Sequence, residues 1–586
     1  MSPTVRYSVH LTEPHKHVIH VTAEYSGFAG DSLEIMIPTW SPGSYMIREF
    51  SRNILDISIR DKKPGLSLVN TNKNSWLITH KDVENVTIDY QIYAFEEPIR
   101  ATFIDADQAM LHGASLFILP RVDVEVNYEI IVNHPEEWGV ITTQLPHKPG
   151  HEKFLFTDSL EKLLDSPIAV GNHTLYPFMV TGIPHQFAML GQGNYELDAI
   201  IRDTRKALTT AHAIFGEVPY DSYTFFISPS NGELGGLEHH DSCNIQVGRF
   251  NFQDRGDYIK FITLVVHEFF HSYNVKKFKP ESFINLDLEH ENYTTLHWVT
   301  EGINSYYDKY LLLRGGVITL SEYLSLIQND IVRLQSAPGR LRQSLSESSF
   351  YTWIKHYFPD ENSDNVNVSY YLKGSLVGMA LDLEIRTASK GAKSLDDIFR
   401  ALWRNYKKGQ AGYTETSFRQ LCESNAGRNL DNIWKYVDTT AEMDFPAILE
   451  PYGLQVETTS NNNSQIWLGI KVQEIDMVVS QIIDGGSAHE CGINVKDELV
   501  AVNGIRLTRH NYKRHLSRLP HGVTAQITVT RNGYLRQIPM TPILKTPEVA
   551  NINKLDELSD EQKILFRNWL REDWQPVDSN VSASSN

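Results

Sequence analysis

Cysteine is scarce in this chain. Cys243, Cys422 and Cys491 are the only three in 586 residues, widely separated and odd in number, so neither a disulfide framework nor a cysteine zinc site is expected. Cys243 lies near a motif discussed below and reads as a small buried thiol. Long apolar runs are missing too. No segment approaches the 18 or so uninterrupted apolar residues of a membrane span, and the start, Met1 to Val9, has no basic stretch followed by an apolar one. A soluble, cytoplasmic protein is the expectation. Basic charge is the third shortage: 54 Lys and Arg stand against 72 Asp and Glu, a net charge of -18, which disfavours nucleic acid and anionic membranes as partners.

The length calls for several cores, three or four at about 150 residues each. In the first 165 residues the apolar period is two. Val5, Tyr7, Val9 and Leu11 alternate with polar residues, Glu13 to Lys16 can turn, and Ile19, Val21, Ala23 and Tyr25 alternate again, which predicts a hairpin. Similar runs at 33–37, 86–92 and 122–128 predict an antiparallel β domain over residues 1–165. Within it, Trp40-Ser-Pro-Gly-Ser-Tyr45 and the residues up to Ser51 concentrate aromatic and charged side chains around a turn, either as a packed loop or as part of a site.

Residues 166–457 carry the chemistry. Phe261 to Tyr273 is an apolar stretch holding His267, Glu268 and His271, and on a helix the two histidines stand one turn apart on one face. Imidazoles at this spacing can share one tetrahedral ion, and the adjacent glutamate can take a proton from a metal-bound water. Burying three ionisable groups among apolar residues without partners would cost several kcal/mol, and a metal offsets much of that. A third ligand is needed. Glu301 supplies it, on a second helix where Gly302 permits close packing, while Asp308 reads as a surface aspartate unless it orients a ligand from behind. Before these, Gly235 and Gly236 precede Glu238, a pattern that reads as a turn with a solvated carboxylate or as backbone passing close to a site. Tyr370 and Tyr371 enter a helix with an apolar downstream face, and a phenol there can stabilise an oxyanion. Thr319 with Glu322, Ser394 with Asp397, and Ser559 with Gln562 predict helix starts. A polar linker is expected from Thr458 to Gln465, then β-like runs over 466–545, and a helix with a disordered tail over 546–586.

These residues resemble the glycyl aminopeptidase family, zinc metallopeptidases of the gluzincin kind with a C-terminal PDZ domain. The resemblance covers about residues 1–545 and rests on Trp40-Ser-Pro-Gly-Ser-Tyr45, Gly235-Gly-Leu-Glu238-His239, His267-Glu-Phe-Phe-His271 with Asn274-Val-Lys276, Glu301-Gly302 with Tyr306-Tyr307, and Tyr371-Leu-Lys-Gly374. It implies a multidomain α+β chain: an N-terminal antiparallel β domain, a thermolysin-like mainly helical catalytic domain, and a PDZ domain whose carboxylate-binding loop falls at Trp467-Leu-Gly-Ile470. It implies one Zn²⁺ per chain on His267, His271 and Glu301, with Glu268 as general base and Tyr371 donating to the oxyanion. Glu238, with Gly235 and Gly236, would bind the free amine of a peptide whose first residue is glycine or alanine. Relatives such as aminopeptidase N carry G-x-M-E-N, so Leu237 and His239 depart from them, and the gap from His271 to Glu301 is longer here. A PDZ-guided endopeptidase, or a non-catalytic PDZ scaffold, is the alternative.

Overall fold

The computed structural model describes residues 2–575 except 62, 82, 97, 98, 233 and 458–463. Most of the predicted linker and the polar tail from Asp578 lie outside the described residues. The chain divides into two compact units. One comprises residues 1–293, 307–318 and 399–414, and the other 294–306, 319–398 and 415–586.

The first unit opens with β structure. Thr4–His10 and Val18–Ser26 form the predicted hairpin, Tyr7 facing Ala23, at the middle of a seven-stranded sheet. The alternation is visible in the burial: Val5, Tyr7, Val9, Val21, Ala23 and Tyr25 all point into one core. Two expectations need correction. The sheet is not purely antiparallel, because Thr4–His10 pairs in parallel with Asn127–Asn133. The strand expected from Val122 starts only at Asn127, and Val122 and Val124 are exposed and lie outside it.

A five-stranded mixed sheet follows. Ile183–Met189, Tyr223–Ser230 and Ser242–Gly248 run parallel, and the connection between the first two passes through the helix Leu197–Phe215. Gly235–Glu238 closes the edge antiparallel to Ser242–Gly248, with Glu238 opposite Cys243. The helix Arg255–Phe270 lies on these last two strands, which explains why it is apolar almost all round.

The second unit is mainly helical up to residue 449, then β. Capping boxes start the helices Leu320–Ser336 and Asp560–Leu570 where Thr319 and Ser559 predict them. Strands within 470–540 form a six-stranded sheet with its own core around Val479, Leu499, Ile527 and Val529. Asn551–Lys554 pairs with Leu454–Glu457, so the chain leaves and re-enters the helical part at neighbouring points. Among the described residues no helix is long and apolar enough to cross a membrane.

Candidate metal and catalytic site

His267 and His271 close the end of the buried helix Arg255–Phe270, whose start is capped by the Asp254 side chain accepting from the Asp257 amide. His267 Nδ1 meets Asp308 Oδ2 at 3.2 Å, and His271 Nδ1 meets the Asn274 carbonyl at 2.9 Å. Both partners only accept, so each Nδ1 carries the proton and each Nε2 presents a lone pair. The two Nε2 atoms stand 3.2 Å apart. Two acceptors so placed repel unless a cation lies between them, and an imidazole, imidazole and carboxylate set is one that zinc accepts. Donor atoms of His267, His271 and Glu301 all lie within 4.8 Å of one another.

Asp308 is thus not the surface residue the sequence suggests. It is buried and aimed at His267. It lies in the α-helix Ile303–Arg314, into which the π-helical turn Trp298–Gly302 that bears Glu301 runs on. Replacing Asp308 with alanine is expected to weaken zinc binding by about 10–100-fold in a chelator competition. Unchanged affinity would make the contact incidental.

Glycines set the approach of the other elements. A Cβ on Gly302 would stand 2.6 Å from Gly374 Cα, so the helix Tyr370–Ala388 crosses the turn bearing Glu301 backbone to backbone. Tyr371 starts that helix, half-buried, its hydroxyl 3.4 Å from that of Tyr357. Beside it stands His356, from a second π-helical turn at Thr352–His356, with ring centroids 4.9 Å from Tyr370 and 5.5 Å from Tyr371. His297 stacks on Tyr370 at 5.3 Å. Burial pulls the His297 imidazole down to about 3 against the opposing pull of Glu301, so it is neutral. Neither His297 nor His356 carries a sequence signal beyond the residue type.

Gly235–Glu238 is a strand rather than a turn, and Glu238 is buried rather than solvated. A Cβ on Gly236 would meet Glu268 Oε1 at 2.2 Å, so the strand passes directly against that carboxylate. The Gly236 carbonyl accepts from Arg100 Nη2 at 3.3 Å, and the Arg100 carbonyl in turn accepts from Ser41 Oγ at 3.0 Å. Gly43 completes the contact, its φ of 95° leaving only hydrogen where a Cβ would lie 2.7 Å from Glu238 Oε1. The aromatic loop from Trp40 therefore walls Glu238. Glu238, Glu268 and His271 offer donor atoms within 4.8 Å of one another, all buried, and among the described residues nothing donates a hydrogen bond to Glu238 Oε1. Cys243 is buried, and desolvation, reinforced by Glu268, pushes its thiol well up, so it is inert.

The model of the M61 glycyl aminopeptidase domain matches residues 260–377, and that of the M61 peptidase N-terminal domain matches residues 6–172. No curated protein matches the sequence. Among solved structures, an aminopeptidase N family protein from Idiomarina loihiensis is 27% identical, with a TM-score of 0.89, covering 97% of this chain and 100% of its own. An M1 zinc metallopeptidase from Deinococcus radiodurans, in a mutant form bound to a Tyr-Ser-Ala substrate, is 11% identical with a TM-score of 0.48, covering 76% of this chain and 95% of its own.

Proposed function

We propose, from the matches to the M61 glycyl aminopeptidase domain and the M61 N-terminal domain and from the site geometry, that this chain is a zinc aminopeptidase of that family releasing small N-terminal residues, glycine or alanine, from peptides. One observation carries the exopeptidase reading: the buried carboxylate of Glu238, whose Oε1 has no hydrogen-bond partner among the described residues, has a donor atom within 4.8 Å of Glu268 and His271. In a peptide the α-nitrogen and the carbonyl carbon of the same residue are about 2.5 Å apart. An ammonium on Glu238 therefore leaves room for one residue before the scissile bond reaches Glu268.

His267, His271 and Glu301 would hold one zinc ion. When bound, the ion lowers the pKa of a water and polarises the scissile carbonyl. Glu268 accepts the proton of the attacking water and later delivers one to the leaving amine. Tyr371 donates its hydroxyl to the oxyanion that develops on the carbonyl oxygen. Glu238 accepts from the substrate ammonium, and Gly235 and Gly236 let the strand lie close enough to hold the peptide backbone.

Hydrolysis of glycyl and alanyl amide reporters beside their N-acetylated forms tests this reading. The wild type is expected to cleave only the free amines. Glu238→Ala should lower kcat/KM on them by roughly 100-fold, as for a lost charge-assisted pair. Equal cleavage of acetylated reporters would replace this reading with an endopeptidase.

We read residues 466–545 as a PDZ domain. In support, Ile470–Gln473 is an edge strand entered from Trp467-Leu-Gly, and the short helix Tyr512–Leu516 belongs to the same small core, an arrangement that can take a peptide C-terminus as an added strand. Asn365 donates to the Ile482 carbonyl at 2.8 Å, and Arg342 pairs with Asp484 at 2.7 Å. These contacts favour a domain packed on its neighbouring helices.

A further inference from the structure

Behind Glu238 lies a second buried charged cluster that the proposed reaction does not use. Asp165 follows the short helix Leu160–Leu164 and is itself buried. Its Oδ1 accepts from Lys276 Nζ at 2.9 Å and faces His239 Nδ1 at 3.0 Å, while its Oδ2 accepts from the His240 amide at 2.7 Å. Lys276 is buried too, in the turn after the metal-site helix, and its amide donates to the His271 carbonyl at 3.0 Å. One carboxylate thus fixes the two residues that follow Glu238 and a cation from the turn that follows His271.

The charges are unevenly shared. Burial lowers the proton affinity of Lys276, but Asp165 and next Glu238 more than restore it, leaving the ammonium firmly charged. Lys276 therefore feels both carboxylates, yet it donates only to Asp165 among the described residues, and Glu238 Oε1 is left without a hydrogen-bond partner. A lysine ammonium and a peptide α-ammonium are the same kind of ligand for a carboxylate. If Lys276 moved onto Glu238, it would fill the place of the substrate amine.

We propose that Asp165 is a positioning residue for the amine subsite: by holding the Lys276 ammonium it keeps that cation off Glu238, whose carboxylate stays open to the substrate's α-ammonium. The inference rests on the aminopeptidase reading above and extends it to residues that need not touch the substrate. A neutral partner at position 165 releases Lys276 as an internal competitor. Removing the lysine's charge as well removes the competitor.

The test is steady-state kinetics of the full-length, zinc-loaded protein on glycyl p-nitroanilide, comparing wild type, Asp165→Asn, Lys276→Met and the double variant. Asp165→Asn is expected to raise KM by roughly ten-fold or more while kcat stays within about three-fold, since only amine binding is opposed. The double variant should bring KM back to within about three-fold of wild type, a coupling that independent structural damage does not produce. A double variant as impaired as Asp165→Asn overturns the inference. Should Asp165→Asn fail to fold, Lys276→Met decides alone: KM unchanged or lower supports competition, and a ten-fold rise overturns it. A wild type inactive on every free-amine reporter overturns the aminopeptidase reading and this inference with it, whereas an active wild type with KM unmoved in Asp165→Asn overturns only the latter.

Discussion

Glu268→Ala is expected to lower kcat on glycyl amide reporters by about 10²–10⁴-fold, the range for removing a positioned general base, while the protein keeps its zinc. The two effects separate because different atoms serve them. The histidine Nε2 lone pairs and Glu301 converge without Glu268, whose carboxylate instead lies against Gly236 on the side of Glu238. The alanine also removes one of two buried carboxylates in the same small volume, so folding should not suffer. Metal analysis beside the kinetics checks this. Turnover lost together with zinc would make Glu268 a ligand, and turnover retained would remove it from the reaction.

The largest effect on stability is expected outside the proposed ligand set, at Asp382. This aspartate is fully buried in the helix Tyr370–Ala388 and accepts from Tyr306 Oη at 2.7 Å, Arg386 Nε at 3.0 Å and the Leu395 amide at 2.7 Å. Tyr306 accepts from Trp569 Nε1 at 3.2 Å, and Arg386 donates to the Asn568 carbonyl at 2.9 Å. Asp382→Ala removes the acceptor that a buried guanidinium, a phenol and an amide share. Leaving one partner of a buried ion pair uncompensated costs about 3–5 kcal/mol. Urea unfolding should show that loss as a lowered midpoint. Since Asp382 ties the helix of Tyr371 to that of Glu301, the variant should also lose activity at temperatures where it remains folded. A change below about 1 kcal/mol would mean that water replaces the carboxylate.

What the sequence disclosed follows from the range of its signals. His267, Glu268 and His271 are legible because one helical turn relates them, and the N-terminal hairpin because alternation repeats every second residue. Glu238 is only half legible. Its glycines announce a close approach, but not that the approach is to Glu268, and strand or turn is decided by a partner, Ser242–Gly248, that periodicity does not name. Asp308 is misjudged because one polar residue in a helix looks the same whether it faces water or an imidazole. The π-helical turns at Trp298 and Thr352 leave no pattern, since one extra residue merely blurs the 3.6 period. Asp165 is invisible: its partners are His239 and Lys276, and nothing local links them.

The parallel pairing of Thr4–His10 with Asn127–Asn133 has a consequence for how the protein is made. The first hairpin leaves the ribosome well ahead of the strand that covers one of its sides, which is synthesised only after residue 126. Until then that edge presents unpaired amides and carbonyls, the template on which chains join one another. At a synthesis rate of roughly 5–20 residues per second the exposure lasts several seconds. During that interval the nascent chain relies on a chaperone or on low crowding near the ribosome, and slowing translation ahead of residue 127 should increase aggregation of an otherwise unaltered protein.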